Sequence, residues 1–480
     1  MMMVGTPMQQ IDQAYINGDW HTLAAEHTYS LINPATEACI AKVSMATEVE
    51  VELAINAASD ALPAWSNTSA QVRAGYMNAI ADEMQNRYQD LIQAHVASMG
   101  CPAHLVGAYH LDCAIEAMRY YADLATTMEQ VETRDNILIT KQAIGVCALI
   151  NPWNYPLHQL VGKLAPALAA GCTVIEKPAE QTPLADLIMA EIMDKIGLPA
   201  GVFNLIFAYG HVVGPMLTNH PKVNMVSFTG STRAGIEIAK NAAPSVKRVC
   251  QELGGKSAYI ITPGADFESA VRYGIEDVMA NTGQTCNALT RMLVPANQYD
   301  RVIKLAQQVA NEQVVGDPNL PNTTMGPLAS AKQYQVVQDY IQIGLEEGAH
   351  LLTGGAEKPQ GLNHGFYIQP TIFTQVTSQM RIAQEEIFGP VLCIMTYEDI
   401  EQAIILANQS QYGLSSSVYA KDEASALAIA KRLEAGQCYI QGSYFSMLAP
   451  FGGVKQSGNG REWGEEGLHE YSETKAIIRP

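Results

Sequence analysis

Apolar positions along the chain fall into two regimes that meet near residue 143. Ahead of it the helical period dominates. Val51, Ala54, Ile55, Ala58 and Leu62 recur at i, i+3 and i+4 from about Thr47. Two further runs predict helices over 70–98, ending at Gly100, and over 103–128. Residues 14–20 and 29–34 read as short strands and turns. A polar, alternating piece over 130–141, with Ile137-Leu138-Ile139-Thr140 at its centre, predicts an exposed strand. An edge strand for self-association and a plain surface hairpin are both open readings of it.

After residue 143 the pattern becomes apolar strand, turn and helix, repeated. Strands are predicted at 144–150, 172–176, 203–207 and 223–228, with helices over 157–170 and 183–196 and a short one between the last two strands. A second series starts at 257–261, includes strands at 289–294, 391–397, 415–420 and 437–440, and runs to about Glu470. Continuous apolar strands alternating with helices imply βαβ units and mostly parallel sheets. At 480 residues the chain exceeds what one hydrophobic core supports, so two α/β domains are expected.

Charge narrows the partners. A net charge of −19 argues against a nucleic-acid backbone and against an anionic membrane surface as the binding target. The nine cysteines include no C-x-x-C pair and no metal-ligand spacing with histidine, so no metal is expected and the thiols read as reduced. No Lys or Arg precedes Lys42, and no apolar run reaches membrane-spanning length. A soluble, cytoplasmic protein is the expectation.

One cysteine stands apart. Asn281-Thr282-Gly283-Gln284-Thr285-Cys286-Asn287 is a small, polar connector between a predicted helix and a predicted strand. Free cysteines usually pack like small hydrophobes, and this setting offers hydrogen bonds instead. Packing residue and nucleophile are both compatible with the connector alone.

In a parallel sheet, ligands gather at the carboxyl ends of the strands, where helix N-termini present N–H groups to anions. Phe228-Thr229-Gly230-Ser231-Thr232-Arg233-Ala234-Gly235 fits a phosphate or dinucleotide site and equally an ordinary capped turn. No G-x-G-x-x-G follows any strand. Lys177 and Glu180 follow the strand 172–176, as a surface pair or as a ribose anchor. A carboxylate on the ribose would repel a 2′-phosphate, which favours NAD over NADP. Glu252, beside the double glycine of Gln251-Glu252-Leu253-Gly254-Gly255-Lys256, is a candidate base whose apolar flanks would raise its pKa.

Taken together, these segments resemble the aldehyde dehydrogenase superfamily. The matching motifs are Pro152-Trp153-Asn154-Tyr155-Pro156, Lys177 to Glu180, Phe228 to Ser231, Glu252 to Gly255, and Gly283 to Cys286. Glu386-Ile387-Phe388-Gly389-Pro390 and Pro450-Phe451-Gly452-Gly453 with Ser457-Gly458 complete the set, all in family order. The resemblance implies an α/β protein with a Rossmann-like NAD-binding domain (1–124 and 144–254) and a second α/β catalytic domain (255–470). A small β oligomerisation arm and tail (125–143 and 471–480) would build a homodimer or homotetramer.

The resemblance also assigns roles. Cys286 is the nucleophile toward an aldehyde, and Asn154 with the Cys286 N–H holds the oxyanion, at roughly 3 kcal/mol per donor. Glu252 activates the water that hydrolyses the thioester, and Lys163 with Glu462 is a secondary proton relay. Trp153, Lys177, Glu180, Gly230, Ser231, Glu386 and Phe388 fall on the cofactor side, with NAD favoured and NADP less so.

Tyr155, Gly162, Thr285, Asn287, Tyr444, Phe445 and Phe451 are placed along the substrate tunnel. Aromatic lining suits an apolar or aromatic aldehyde, or a quaternary ammonium through cation–π attraction; for Tyr444 and Phe445 a packing role is equally open. No arginine is placed to receive a carboxylate-bearing semialdehyde. Two positions depart from the family pattern, and both are expected to stay clear of the chemistry. Gln441 stands where Asn is usual, which leaves the local loop bonding open, and Trp463 replaces an aliphatic residue after Arg461-Glu462. A CoA-acylating relative is one alternative, argued against by Glu252, and a catalytically silent NAD-binding scaffold is another.

Overall fold

The computed structural model describes residues 9–24, 26–127 and 131–480. Two mostly parallel sheets organise the chain. In the first, the strands Arg248–Glu252, Met225–Thr229, Val146–Ile150, Thr173–Lys177 and Phe203–Leu205 lie side by side in that order, all parallel. Gln13–Ile16 and Asp19–Thr22 extend one edge antiparallel, and Gly458–Asn459 closes the other. The three central strands are buried along their full length, which is why they read as unbroken apolar runs rather than alternation.

The order of this sheet decides where a ligand can sit. Val146–Ile150 comes first in the series; the next two strands add on one side of it and the following two on the other. At such a reversal the connections leave in opposite directions and open a crevice at the carboxyl ends. Asn154, Lys177, Glu180, Gly230, Ser231 and Glu252 all lie at these ends.

The second sheet has seven strands, with Ala258–Ile261 between Arg291–Pro295 and Ser415–Tyr419 near its centre. Only its edge strand His350–Thr353 runs antiparallel. A third, three-stranded sheet joins Ser472–Ile478, Ile137–Ala143 and Val131–Arg134, so the tail lies against the exposed strand read from the sequence. The expected start of that strand at Gln130 lies outside the described residues. Among the described residues no helix is long and apolar enough to cross a membrane.

The first predicted helix is present as Glu48–Ser66, closed by a capping box in which Thr47 and Glu50 satisfy each other's backbone N–H groups. Such a cap contributes about 1 kcal/mol. The second predicted helix is two, Ala70–Asn86 and Tyr88–Met99, broken at Arg87, whose ψ of 16° leaves the helical well. The third starts as Ala103–Val106, widens into a π-helical turn over Gly107–Leu111, and resumes as Asp112–Thr127; its expected end at Met128 lies outside the described residues. Apolar periodicity persists through both interruptions, so it cannot register them. Helix Pro156–Ala170 runs through the core, and all of its residues except His158 and the terminal Ala170 are buried.

Candidate active site

Cys286 sits on a turn that the backbone makes in an uncommon way. Asn281, Thr282 and Gly283 all have positive φ, at 49°, 58° and 72°. Asparagine tolerates this region and threonine does so at a cost. The run is held by side-chain bonds: Thr282 Oγ1 donates to the Gly326 carbonyl at 3.0 Å, and Gln284 Nε2 donates to the Asn281 carbonyl at 3.0 Å. Gln284 Oε1 in turn accepts from the Ala329 N–H at 2.8 Å. The stretch 281–284 is buried and so is everything from Ala288 to Pro295, while Thr285, Cys286 and Asn287 remain partly open. These three are the partly exposed residues between two buried segments.

Asn154 reaches this turn from the end of strand Val146–Ile150. Its Nδ2 donates to the Gln284 carbonyl at 3.0 Å, and its own carbonyl accepts from Asn281 Nδ2 at 3.0 Å. One N–H of the Asn154 amide is thereby fixed and the other is free to serve a second acceptor. From below, Gly255 packs against Cys286. A Cβ on Gly255 would stand 2.5 Å from the Cys286 carbonyl oxygen, so no side chain fits there. Burial first, then the charges of Glu386 and Glu252, push the Cys286 thiol above its ordinary range.

Glu252 ends strand Arg248–Glu252 with its carboxyl buried; Oε2 has no hydrogen-bond partner. Burial and the neighbouring Glu462 push it well above the usual carboxylate range, with Lys163 and Arg461 opposing. Behind it, Lys163 Nζ lies 2.9 Å from Glu462 Oε1 and donates to Thr229 Oγ1 at 2.7 Å and Gln159 Oε1 at 3.1 Å. These residues come from four segments of the sequence and form one buried polar group, whose Glu252 acts electrostatically on Cys286.

The cofactor-side candidates occupy the sheet ends. Glu180 Oε1 accepts from the Gly210 N–H at 2.7 Å and lies 3.2 Å from Lys177 Nζ. Burial raises the Glu180 carboxyl, but Lys177 and that N–H outweigh it and hold the group below its ordinary value. Ser231 caps helix Thr232–Ala242 through a 3.3 Å bond to the Ala234 N–H, which engages its hydroxyl and leaves the N–H groups of the first turn for an anion. Glu386 accepts from the Gly255 N–H at 3.0 Å, and burial pushes its pKa up to about 7. Trp153 and Phe388 meet edge to face at 5.3 Å.

The tunnel candidates divide. Tyr155 OH and Thr285 Oγ1 share a 2.9 Å hydrogen bond next to Cys286, and Phe445 stands 6.2 Å from Phe451. Phe451 is buried and pairs through its backbone with Glu462. Asn287 is partly open beside the thiol. Tyr444 corrects the expectation: it is 79% exposed and leans on Tyr273, so it belongs to the outer rim. Gly162 lies under an indole rather than on an open wall, since a Cβ there would meet the Trp463 ring at 2.8 Å.

Trp463, expected to stay clear of the chemistry, is buried against His158 at 4.5 Å and Phe445 at 5.4 Å. Gln441 braces its loop with two bonds to Ala420, of 2.7 Å and 2.9 Å, and does not approach the cleft. Sequence reasoning missed Asn281, Gln284, His110 and His158. The first two stand inside the connector already singled out, and their type alone was a signal. The two histidines carry no such mark.

Comparison with known proteins bears on this arrangement. The profile of the Aldehyde dehydrogenase family matches residues 20–477. The chain belongs to the aldehyde dehydrogenase family. It is 45% identical over 472 residues to 3-succinoylsemialdehyde-pyridine dehydrogenase of a Pseudomonas species, covering 98% of this chain and 99% of that one. Among solved structures it is similar to aldehyde dehydrogenase C of Pseudomonas syringae, a cysteine-to-alanine mutant complexed with NAD+ and octanal. The TM-score is 0.96 at 44% identity, covering 98% of this chain and 96% of that one. Betaine aldehyde dehydrogenase of Staphylococcus aureus, in complex with NAD+, gives 0.94 at 36% identity, over 97% and 94% of the two chains. The α/β architecture of this aldehyde dehydrogenase, with its two parallel sheets, is that of these relatives.

Proposed function

We propose that this aldehyde dehydrogenase oxidises an aldehyde to its carboxylic acid with NAD, through a thioester on Cys286. The observation that carries the reading is the partly open Cys286 on the turn that the Asn154 amide holds, within electrostatic reach of the buried Glu252. The Cys286 thiol gives its proton to Glu252, which passes it on toward solvent, and the sulfur adds to the carbonyl carbon, forming a C–S bond while the C=O pair becomes an oxyanion. The free N–H of Asn154 and the Cys286 N–H are the donors for that charge. Bound NAD supplies the hydride acceptor. Glu252 then takes a proton from water, the hydroxide attacks the thioester, the C–S bond breaks, and acid and thiol are released. Proton traffic from the buried Glu252 has a path through Lys163 and Glu462.

For the coenzyme, the fit rests on Glu180: its Oε1 is engaged by Lys177 and Gly210, which leaves Oε2 to accept from ribose hydroxyls. Gly230 and the first turn after Ser231 suit the pyrophosphate, and Glu386, Phe388 and Trp153 line the cleft nearest Cys286. NAD in the two solved relatives supports this assignment. The strands 131–134, 137–143 and 472–478 are the proposed oligomerisation surface for a homodimer or homotetramer.

Rapid mixing with aldehyde and NAD tests the chemistry. Cys286→Ala is expected to bind NAD within a fewfold of wild type and to form no NADH. Glu252→Gln is expected to give one burst of NADH followed by slow turnover. Turnover retained by Cys286→Ala, or a normal steady state in Glu252→Gln, overturns the scheme.

A further inference from the structure

Two histidines flank Tyr155, and neither is used by the chemistry above. His110 lies on the π-helical turn Gly107–Leu111 and stacks on the Tyr155 ring at 4.4 Å with an interplanar angle of 18°. Such a turn inserts one residue into a helix and re-aims the side chains on it, and it occurs frequently at functional sites. His158 stands on the other side, 5.9 Å from Tyr155, 5.2 Å from Phe445 and 4.5 Å from Trp463.

His158 keeps partial exposure among the rings of Tyr155, Phe445 and Trp463. It is the only residue before the last position of helix Pro156–Ala170 that is not buried, on a helix otherwise sealed all round. Tyr155, the residue joined to Thr285, is partly open as well. A continuous wall therefore runs from Cys286 through Thr285 and Tyr155 to His158, Phe445 and Trp463. Within it, Nδ1 of His158 and both ring nitrogens of His110 are buried with no hydrogen-bond partner. An unmade buried hydrogen bond costs about 1–3 kcal/mol, so these atoms call for a ligand group or water. Burial, together with Lys163, brings the His158 pKa down to about 3, and burial with the two neighbouring histidines takes His110 far below its ordinary value. Both rings are neutral in the working range, and a neutral imidazole pairs with uncharged donors and acceptors.

We propose that His158 determines substrate specificity by hydrogen-bonding an uncharged heteroatom on an aromatic aldehyde whose ring lies against Phe445 and Trp463. A hydroxyl, a carbonyl oxygen or a ring nitrogen meets the requirement; a methyl group of the same size does not. This rests on Cys286 being the nucleophile, since that fixes the end of the tunnel at which the aldehyde reacts. His110 backs Tyr155 and sets the plane of its ring.

The test compares hydroxybenzaldehydes with methylbenzaldehydes, at the meta and para positions, by kcat/KM referred to propanal oxidation by the same protein. Intrinsic reactivity differs within each pair and cancels between variants. The hydroxyl-to-methyl ratio is expected to fall about tenfold in His158→Phe and His158→Leu and to be retained in His158→Gln, which keeps a donor and an acceptor. A ratio unchanged in the apolar variants, or lost equally in His158→Gln, overturns the proposal. A second measurement needs no variant at His158: 3-hydroxybenzyl alcohol is expected to inhibit propanal oxidation by wild type about tenfold more tightly than 3-methylbenzyl alcohol, and equal inhibition also overturns it. Failure of the nucleophile reading looks different, because Cys286→Ala would then oxidise propanal.

Discussion

Lys163 and Glu462 form an ion pair of 2.9 Å with side-chain exposures of 0% and 4%. The pair joins a core helix of the first sheet's domain to the segment that returns from the second, at the point where Phe451 and Glu462 exchange backbone hydrogen bonds of 2.7 Å and 2.8 Å. Two charges in such a place are tolerated only together. Removing one leaves the other buried and unpaired, at a cost of about 3–5 kcal/mol, whereas replacing both with apolar groups relieves the penalty. Glu462→Gln and Lys163→Met are each expected to inactivate at markedly lower temperature than wild type. The double variant Lys163→Met/Glu462→Leu is expected to recover part of the loss. Equal thermal inactivation of wild type and both single variants would contradict the buried pair.

Both acting groups of the proposed chemistry need to lose a proton, and the structure makes each reluctant to do so. Burial and nearby carboxylates raise the Cys286 thiol, and burial with Glu462 raises Glu252. A raised pKa on a group that works deprotonated moves activity toward higher pH. Aldehyde oxidation is therefore expected to rise with pH through neutrality and into the alkaline range, with no acidic optimum. Steady-state profiles check this, and a maximum below neutrality would contradict it. In Glu252→Gln the part of the rise belonging to hydrolysis is expected to vanish.

Much of this was legible in the sequence because the central strands are buried on both faces and write their burial directly as apolar runs, as at Val146–Ile150 and Met225–Thr229. Connector residues such as Cys286 and strand ends such as Glu252 stood out because polar side chains there have no packing reason. What escaped was set by three-dimensional contact. The break at Arg87 and the π turn at His110 leave the apolar period intact. Trp463 fills the space above Gly162 from the far end of the chain, a complementarity of volume that neither segment states alone. His158 shares its helix with buried residues of every phase, so its opening onto the cleft depends on Tyr155, Phe445 and Cys286 being where they are. Tyr444 was placed along the tunnel by its position relative to the motifs, which does not report that its ring is left 79% exposed.

Gly283 is expected to be intolerant of any side chain. Its φ of 72° is strained for other residues, and a Cβ would stand 2.1 Å from the backbone of Gly389, which has no rotamer to move aside. Strain of about 1–2 kcal/mol adds to an overpacking cost of about 1–3 kcal/mol or more. Gly283→Ala should lower the thermal midpoint by several degrees and displace Cys286, seen as a slower reaction of that thiol with an alkylating reagent. A variant with wild-type stability and thiol reactivity would show that the turn is not built as described.

The coenzyme preference follows from one carboxylate. Glu180 keeps 25% of its side chain exposed, its Oε1 is occupied by Lys177 and the Gly210 N–H, and those two partners hold the group ionised against the opposing effect of burial. An ionised carboxylate with one free oxygen accepts well from two ribose hydroxyls and badly tolerates a phosphate at the 2′ position. Lys177 offsets only part of that repulsion, because the same ammonium already serves the carboxylate at 3.2 Å. Wild type is therefore expected to favour NAD over NADP by about a hundredfold in kcat/KM, since a like-charge contact of about 3 kcal/mol corresponds to that ratio. Removing the charge should act on the discrimination and leave the nucleophile alone: Glu180→Ala is expected to narrow the NAD-to-NADP ratio about tenfold, through weaker use of NAD and freed use of NADP. The burst of NADH at saturating NAD should keep its amplitude. Coenzyme kinetics on the two proteins decide the matter, and a wild type that uses NADP as well as NAD, or a ratio that Glu180→Ala leaves in place, would mean that the ribose binds elsewhere.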